Sequence, residues 1–375
     1  MEHYSESKVL LDRVINNGNA LDVVFHPRSV AVVGALDGPV PFGYYFSRCL
    51  MDFGFNGPIY PVNPSRENVL GLKAYPDMSH IPDPVDYVIC CIPAPKIPSL
   101  LHDCHAREVK CVHIFSGRLS ETGRKEAEDL ETEILRQAKM LNIRLIGPNC
   151  MGIYYPREGL SFNYDLPKEE GAVGGLFQSG GLSIQFTRYG GLQGLRFSKV
   201  ISYGNGIDLD ECEFLTYFAH DDETKIIVLY IEGVKDGKRF MNTLRDVTRI
   251  KPVLVMKGGR GIAGLKAAAS HTASLGGSDV IWKGLFKQLG VTLAGDLNEL
   301  VDLSVIFSSL PTVKGRRAAI LGGGGGQSVV SADIFEEAGL EVPPLPSDMR
   351  ENLRERSPEI GDWIGNPIDF SAFAP

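Results

Sequence analysis

The 375-residue chain is 43% apolar and 22% charged, the composition of a globular protein with room for two or three domains and little disorder. Its net charge of -8 and the lack of any Lys/Arg cluster exclude a nucleic-acid partner, because neutralising phosphates needs a basic face. No apolar run approaches the roughly 20 residues that span a bilayer, and MEHYSESKVLLDRV has acids but no apolar signal region, so the chain reads as cytoplasmic with no membrane partner.

Residues 1–20 are expected to form a helical arm, with apolar residues in KVLLDRVI, ending at the turn signal NNGN. Over residues 21–155, short apolar runs end in Gly, Pro, Asn or Ser: SVAVVG (29–34), GPIYPVN (57–63), YVICCIP (87–93), CVHIFSG (111–117) and RLIGPN (144–149). Helical stretches such as YYFSRCLMDFG and ETGRKEAEDLETEILRQAKMLN separate them, and this alternation predicts a parallel, doubly wound α/β sheet. After the irregular YYPREGLSFNYDLPKEEG, a second α/β block at 165–310 repeats the pattern with AVGGLF (172–177), FSKVIS (197–202), KIIVLYIE (225–232), PVLVMK (252–257) and VTLA (291–294). Beyond the linker SSLPTVKG, residues 315–375 read as strand, glycine loop, helix and strand. About 60 residues are fewer than the roughly 100 to 150 of a typical domain, so this is expected to be the start of a third α/β domain, incomplete or shortened.

The seven cysteines are scattered and form no CxxC pair, the pattern of reduced thiols. HDCHAREVKCVH groups His102, Cys104, His105, Cys111 and His113, but it reads as a helix end followed by a strand, lacks zinc-site spacing, and leaves no metal site expected.

Ligands of open parallel sheets sit beyond the carboxyl ends of the strands, where the N–H groups of the following helices are unsatisfied. In the first block VAVVGALDGPVPFG puts Gly34, Gly38 and Gly43 at a strand-to-helix turn, a setting for a nucleotide pyrophosphate. The second strand ends IYPVNPSR, offering Asn63, Ser65 and Arg66 where an NAD site wants an acid; a basic residue suits the phosphorylated ribose of NADP or coenzyme A. In the second block, FQSGGLS places Ser179, Gly180 and Gly181 at a helix start, as an anion site would. Glu232 closes the third strand, and the fourth runs from MKGGR into a loop of about 20 residues that carries His271 in AAASHTASLGG and closes at Ser278, a good helix cap. Singly, each of these has a bland explanation: a solvated histidine, a surface acid, glycines that permit a turn. Together they fit one chemistry, in which a carboxylate takes the N–H of one ring nitrogen, the other nitrogen is the nucleophile, and a helix N-terminus holds the transferred phosphoryl group. Small residues let the loop move, and about eight extended residues reach roughly 25 Å, so His271 reads as a phosphate carrier. The run Gly322–Gly326 lacks a following GK[ST] and is expected to be a flexible turn rather than a nucleotide loop.

Along nearly the whole chain the motifs HPRSVAVVGA, GPIYPVNP, GLKAYPDM, GPNCMG, FQSGGLS, SYGNGIDLD, LYIEGVKDGKRF, KPVLVMKGGR and AAASHTASLGGSD resemble those of the NDP-forming (ADP-forming) acyl-CoA synthetases, relatives of succinyl-CoA synthetase. The resemblance implies tandem domains, a Rossmann-like one that binds coenzyme A and a flavodoxin-like ligase domain. It implies that His271 is phosphorylated, Glu232 orients it, and Ser179, Gly180 and Gly181 bind phosphate. Coenzyme A contacts are expected at Gly34, Ala35, Gly43, Asn63, Ser65 and Arg66, at Ile92, Pro93 and Ala94, and at Ser116 and Gly117. Asn149, Cys150 and Asn205 are expected near the acyl site, with Cys150 in packing or a polar contact rather than as a nucleophile. The implied reaction interconverts a carboxylic acid, ATP and coenzyme A with acyl-CoA, ADP and phosphate through an acyl phosphate and a phosphohistidine.

The chain departs from the family pattern at PVPFG, which lacks the lysine of PGKxG, and at SHTA, GNGIDLD and FQSG, where SHTG, GNKADLD and SQSG are usual. These changes imply altered acid specificity with the histidine and glutamate kept. Nothing in the sequence resembles an ATP-grasp domain, so ATP/ADP and Mg²⁺ are expected to act through a β-type subunit or a fused C-terminal domain, in an oligomer. A non-catalytic regulator that binds coenzyme A or acyl-CoA, and an NADP-dependent oxidoreductase, are the competing readings.

Overall fold

Short runs of branched and aromatic residues, buried on both faces, make the central strands: VAVV, YVIC, CVHI and IIVLYI expose no residue. Continuous apolar strands of this kind require helices on both sides of a parallel sheet. The computed structural model describes residues 21–35, 42–266, 278–311, 313–322, 324–358 and 364–369. The expected helical arm (1–20), Gly38 and the loop 267–277 with His271 lie outside the described residues.

Met1–Leu310 form one compact unit with two large sheets and a two-stranded hairpin of Asn68–Val69 with Leu72–Lys73. The first contains β1 (Val30–Val33), β2 (Ile59–Val62), β3 (Tyr87–Cys90), β4 (Cys111–Ile114) and β5 (Arg144–Ile146), all parallel, in the order β2-β1-β3-β4-β5. Helices α1 (Phe42–Asp52), α2 (Ile97–Ala106) and α3 (Lys125–Met140) connect them. The crossing at β1 and β3 opens a crevice at their carboxyl ends.

The second sheet contains β6 (Gly152–Tyr154), β7 (Glu170–Phe177), β8 (Phe197–Ser202), β9 (Ile226–Ile231), β10 (Val253–Lys257) and β11 (Thr292–Ala294), in the order β11-β10-β9-β7-β8-β6. Only β6 runs antiparallel, against β8. Its helices are α4 (Gly180–Leu192), α5 (Glu211–His220), α6 (Gly237–Val247), α7 (Asp279–Leu289) and α8 (Leu297–Ser309). One hydrophobic cluster joins both sheets, from Val30 and Phe46 through Ile153 and Phe162 to Phe177 and Leu229. Among the described residues no helix is long and apolar enough to cross a membrane.

Pro311–Pro375 form a second unit. In it β12 (Leu321–Gly322) pairs parallel with β13 (Ile368–Asp369), beside α9 (Gly325–Glu337) and α10 (Ser347–Arg356), over a small core of Leu345, Ile364 and Ile368. The glycine run therefore divides: Gly322 ends a strand, while Gly325 and Gly326 already belong to helix α9.

Candidate functional site

The first sheet brings the predicted coenzyme A residues to one crevice. Gly34 has φ +91, and a Cβ there would lie 3.0 Å from the Cys91 carbonyl oxygen, so glycine is required where β1 meets the end of β3. A Cβ on Gly43 would collide with the backbone of Gly34 and Ala35, which lets the start of α1 close onto the same turn. The Asn63 amide is used internally: Nδ2 donates to the Ala35 carbonyl at 2.6 Å and Oδ1 accepts from Ser65 N at 2.8 Å. Ser65 and Arg66 are exposed beside it. Ala94 starts the short 3-10 turn Ala94–Lys96, with Ile92 half-buried and Pro93 exposed before it. The Ser116 hydroxyl donates to the Ile92 carbonyl and joins the ends of β3 and β4. Glycine turns, half-buried strand ends and an exposed Arg66 fit a phosphate-bearing nucleotide ligand such as coenzyme A.

The loop after β5 carries the acyl-site candidates. Asn149 has φ 60, a left-handed conformation that asparagine tolerates, and its N–H donates to the Ser116 carbonyl at 3.2 Å. The Cys150 thiol is buried, 3.8 Å from the Ile114 carbonyl oxygen, and burial raises its pKa strongly, so it stays a neutral thiol. The neighbouring His113 is also buried: Nε2 donates to the Cys150 carbonyl at 3.0 Å, and burial lowers the imidazole pKa to about 4. Asn205 reaches this loop from the other sheet, its N–H donating to the Pro148 carbonyl at 3.0 Å. Its Nδ2 donates to Glu121 at 2.8 Å and Glu131 at 3.0 Å. Its Oδ1 is buried without a hydrogen-bond partner among the described residues. The five-residue cysteine–histidine group of α2 and β4 does not converge: Cys104, Cys111 and His113 are buried, whereas His102 and His105 lie on the exposed face of α2.

The second sheet aligns three adjacent strand ends. Ser179 caps α4, its hydroxyl accepting from Leu182 N at 3.4 Å, and Gly180 and Gly181 form the first turn, whose N–H groups have no intrahelical partner. A Cβ on Gly180 would lie 2.7 Å from Met151 Cγ, so this turn packs on the Asn149–Met151 loop. Glu232 follows β9 directly and is buried. Its Oε1 accepts from the Tyr230 hydroxyl at 3.0 Å, and its carbonyl accepts from Lys257 Nζ at 2.7 Å. Gln178, between β7 and Ser179, grips the same backbone: Oε1 accepts from the N–H groups of Glu232 and Gly233, and Nε2 donates to the Gly233 carbonyl at 3.0 Å.

Lys257 ends β10, where the histidine loop departs, and its Nζ lies 5.2 Å from the ring centroid of Trp282 on α7, where the loop returns. Ser278 occupies the cap position of α7, with no side-chain cap bond among the described residues. Lys257 thus ties the end of β10 both to the Glu232 main chain and to α7. Gln178, Tyr230 and Lys257 were missed by sequence reasoning. Their signals were a polar residue between an apolar strand and a glycine turn, a tyrosine two before the acid, and a lysine closing an apolar strand.

Asp210 and Glu213, on the capping turn of α5, pair with Arg239 at the mouth of the same edge. Glu211 between them is buried, and burial, then the Asp210 charge, raise its pKa. The folded protein therefore holds a proton that the unfolded chain releases. The associated stability is present below the ordinary carboxylate range and is lost as pH rises through the raised value. Glu211→Gln is expected to raise Tm at pH 9 relative to wild type and to change it little at pH 5; equal shifts in thermal melts at both would contradict this assignment.

Comparisons with known proteins follow the same two sheets. Residues 28–156 match the family model of a CoA binding domain, and residues 170–307 that of a succinyl-CoA ligase like flavodoxin domain. The ADP-forming acetate–CoA ligase II subunit alpha of Pyrococcus furiosus is 38% identical over 354 residues, covering 94% of this chain and 77% of that protein. The chain belongs to the ADP-forming acyl-CoA ligases. Its class is that of the acid–thiol ligases, and the comparisons favour this over the oxidoreductase and the regulator. The family also includes an ADP-forming acetate–CoA ligase of Methanocaldococcus jannaschii, 37% identical over 93% of this chain, which spans about half of that relative's length at 49%. A solved structure from Candidatus Korarchaeum cryptofilum is described as a dinucleotide forming acetyl-coenzyme A synthetase 1 in complex with phosphate and ADP. It superposes with a TM-score of 0.85 at 34% identity, over 95% of this ligase chain and 76% of that one.

Proposed function

We propose that the chain is the coenzyme A-binding and phosphohistidine component of an ADP-forming ligase for a small carboxylic acid. The observation that carries this reading is the alignment of the Ser179–Gly181 helix start, Glu232 and the root of the His271 loop on the neighbouring strands β7, β9 and β10. In the direction of ATP formation, a phosphate oxygen attacks the thioester carbonyl of acyl-CoA. The C–S bond breaks, and the sulfur leaves with a proton as coenzyme A. A ring nitrogen of His271 then attacks the phosphorus of the acyl phosphate, the P–O bond breaks, and the carboxylate departs. Glu232 accepts the N–H of the other ring nitrogen, which fixes the tautomer and stabilises the positive ring formed on transfer. The N–H groups of Ser179, Gly180 and Gly181 hold the phosphoryl oxygens.

Gly34, Gly43 and Arg66 at the β1–β3 crevice would hold the phosphates of coenzyme A, and Ser116, Gly117 and Asn149 would hold its thiol end, which supplies the nucleophilic sulfur for thioester formation. Cys150 supports that loop as a neutral, packed thiol. The histidine loop then delivers its phosphoryl group to ADP, with Mg²⁺, on an ATP-grasp partner, either a separate subunit or a fused domain. The subunit name of the Pyrococcus furiosus relative supports the first arrangement, and the double-length Methanocaldococcus jannaschii relative supports the second.

The test is a product balance. With its ATP-grasp partner, Mg²⁺, ATP, coenzyme A and a panel of acids starting with acetate, the chain is expected to form thioester, ADP and phosphate in equal amounts. AMP and pyrophosphate as products, or no thioester from any acid, would contradict the proposal.

A further inference from the structure

Glu232 is held by a side chain to which nothing above assigns a role in the reaction; the inference drawn from it rests on the proposed phosphohistidine chemistry. Tyr230 and Glu232 are two residues apart at the end of β9, so their side chains share one face. The phenolic oxygen lies 3.0 Å from Oε1, with Tyr230 9% and Glu232 5% exposed. The tyrosine ring cannot swing away. It stacks on Phe177 of β7 with ring centroids 6.4 Å apart, and the backbone of Gly258 closes over its hydroxyl, where a Cβ would lie 2.5 Å from the phenolic oxygen. A residue serving only to fill this space needs no hydroxyl, and a hydroxyl buried here requires an acceptor.

We infer that Tyr230 is a positioning residue of phosphoryl transfer: its hydroxyl, donating to Oε1, holds the Glu232 carboxylate ionised and in one orientation for the imidazole it serves. Other groups face that carboxylate from the elements packed around it. Among the described residues they are the Lys257 ammonium of β10 and the buried Tyr203 phenol after β8, while the neutral Gln178 amide after β7 bonds the adjoining main chain. Of the protons these groups carry, the structure places the Tyr230 proton on a carboxylate oxygen; Lys257 and Gln178 bond the Glu232 main chain. A hydrogen bond to the ionised form favours that form, so removing it makes the carboxylate easier to protonate.

The experiment uses the ligase with its ATP-grasp partner, [γ-³²P]ATP and Mg²⁺, and follows acid-labile label on the chain from pH 5 to pH 9. Tyr230→Phe is expected to slow labelling about 10-fold at pH 7 and to move the acid limb of the profile up by about one pH unit, the range of a charge-assisted hydrogen bond. Placed on a Glu232→Gln background, the same change is expected to slow labelling no further. A Tyr230→Phe profile superimposable on wild type, or equal slowing in both backgrounds, would show the tyrosine to be structural and overturn the inference. So would a Tyr230→Phe protein that does not fold. Absence of label on His271 in the wild type would overturn the phosphohistidine reading itself, whereas normal wild-type labelling with an unshifted variant overturns this inference alone.

Discussion

Glu232→Gln is expected to slow phosphorylation of His271 by roughly 10² to 10⁴-fold, the range observed when a charge that orients or stabilises a catalytic imidazole is neutralised. Glutamine keeps the shape of the side chain and an oxygen that can accept from Tyr230, while Lys257 and Gln178 bond the main chain rather than the carboxylate. The substitution thus removes charge with little change in packing, and Tm is expected to stay within a few degrees of wild type. Stopped-time labelling with the partner subunit measures the rate, and thermal melts check the fold. A Glu232→Gln chain that labels as fast as wild type would remove Glu232 from the mechanism, whatever its melting behaviour.

Lys199→Met is expected to cause the largest loss of stability. Lys199 lies in β8 with its side chain 1% exposed. Its Nζ contacts Asp221 at 2.9 Å and Glu223 at 2.7 Å, and lies 4.3 Å from the ring centroid of Tyr155. Methionine fills the volume of the stem but removes the cation between Asp221 and Glu223, leaving Glu223 only its ion pair with Arg157 among the described residues. Breaking a buried pair on one side costs about 3 to 5 kcal/mol, and the lower end applies because Glu223 is about one quarter exposed. The pH dependence follows from Glu223. Burial by itself raises its pKa, but the hydrogen bonds from Lys199 and Tyr155, with the Lys199 charge and Arg157, outweigh this and hold it at about 2. A depressed carboxylate pKa contributes stability that is present above the unfolded value and lost as pH falls through the folded one. The gap between wild type and Lys199→Met is therefore expected to be full at pH 7 and to shrink between about pH 4.5 and pH 2. Melts across that range check it; a gap that stays constant would assign the loss to packing.

Which parts of this molecule were legible in its sequence follows from where its information lies. Parallel strands buried on both faces leave unbroken apolar runs, and FSKVIS coincides with β8 at both ends. The edge strand β6 and the hairpin of Asn68–Val69 with Leu72–Lys73 are too short to produce a periodic signal. The Gly-rich strand β7 begins at Glu170, two residues before its apolar run, where the side-chain pattern gives no signal. For the site, Ser179, Glu232 and His271 could be read because each belongs to a local strand-to-helix turn or loop. Gln178 could not, since its partners Glu232 and Gly233 are more than 50 residues away. The same holds for the packing of Met151 on Gly180 and of Asn205 on Glu121, which bring the two sheets' loops together. The distinction is physical: local backbone chemistry leaves a motif, whereas a contact across strands leaves only a residue type.

The most direct test of the central claim is the identity of the phosphorylated residue. The wild-type chain, incubated with its ATP-grasp partner, Mg²⁺ and [γ-³²P]ATP, is expected to carry acid-labile, base-stable label on a peptide containing His271, discharged by a carboxylic acid with coenzyme A and absent from His271→Ala. Label on another residue, or retention of acid-labile label in His271→Ala, would contradict the account.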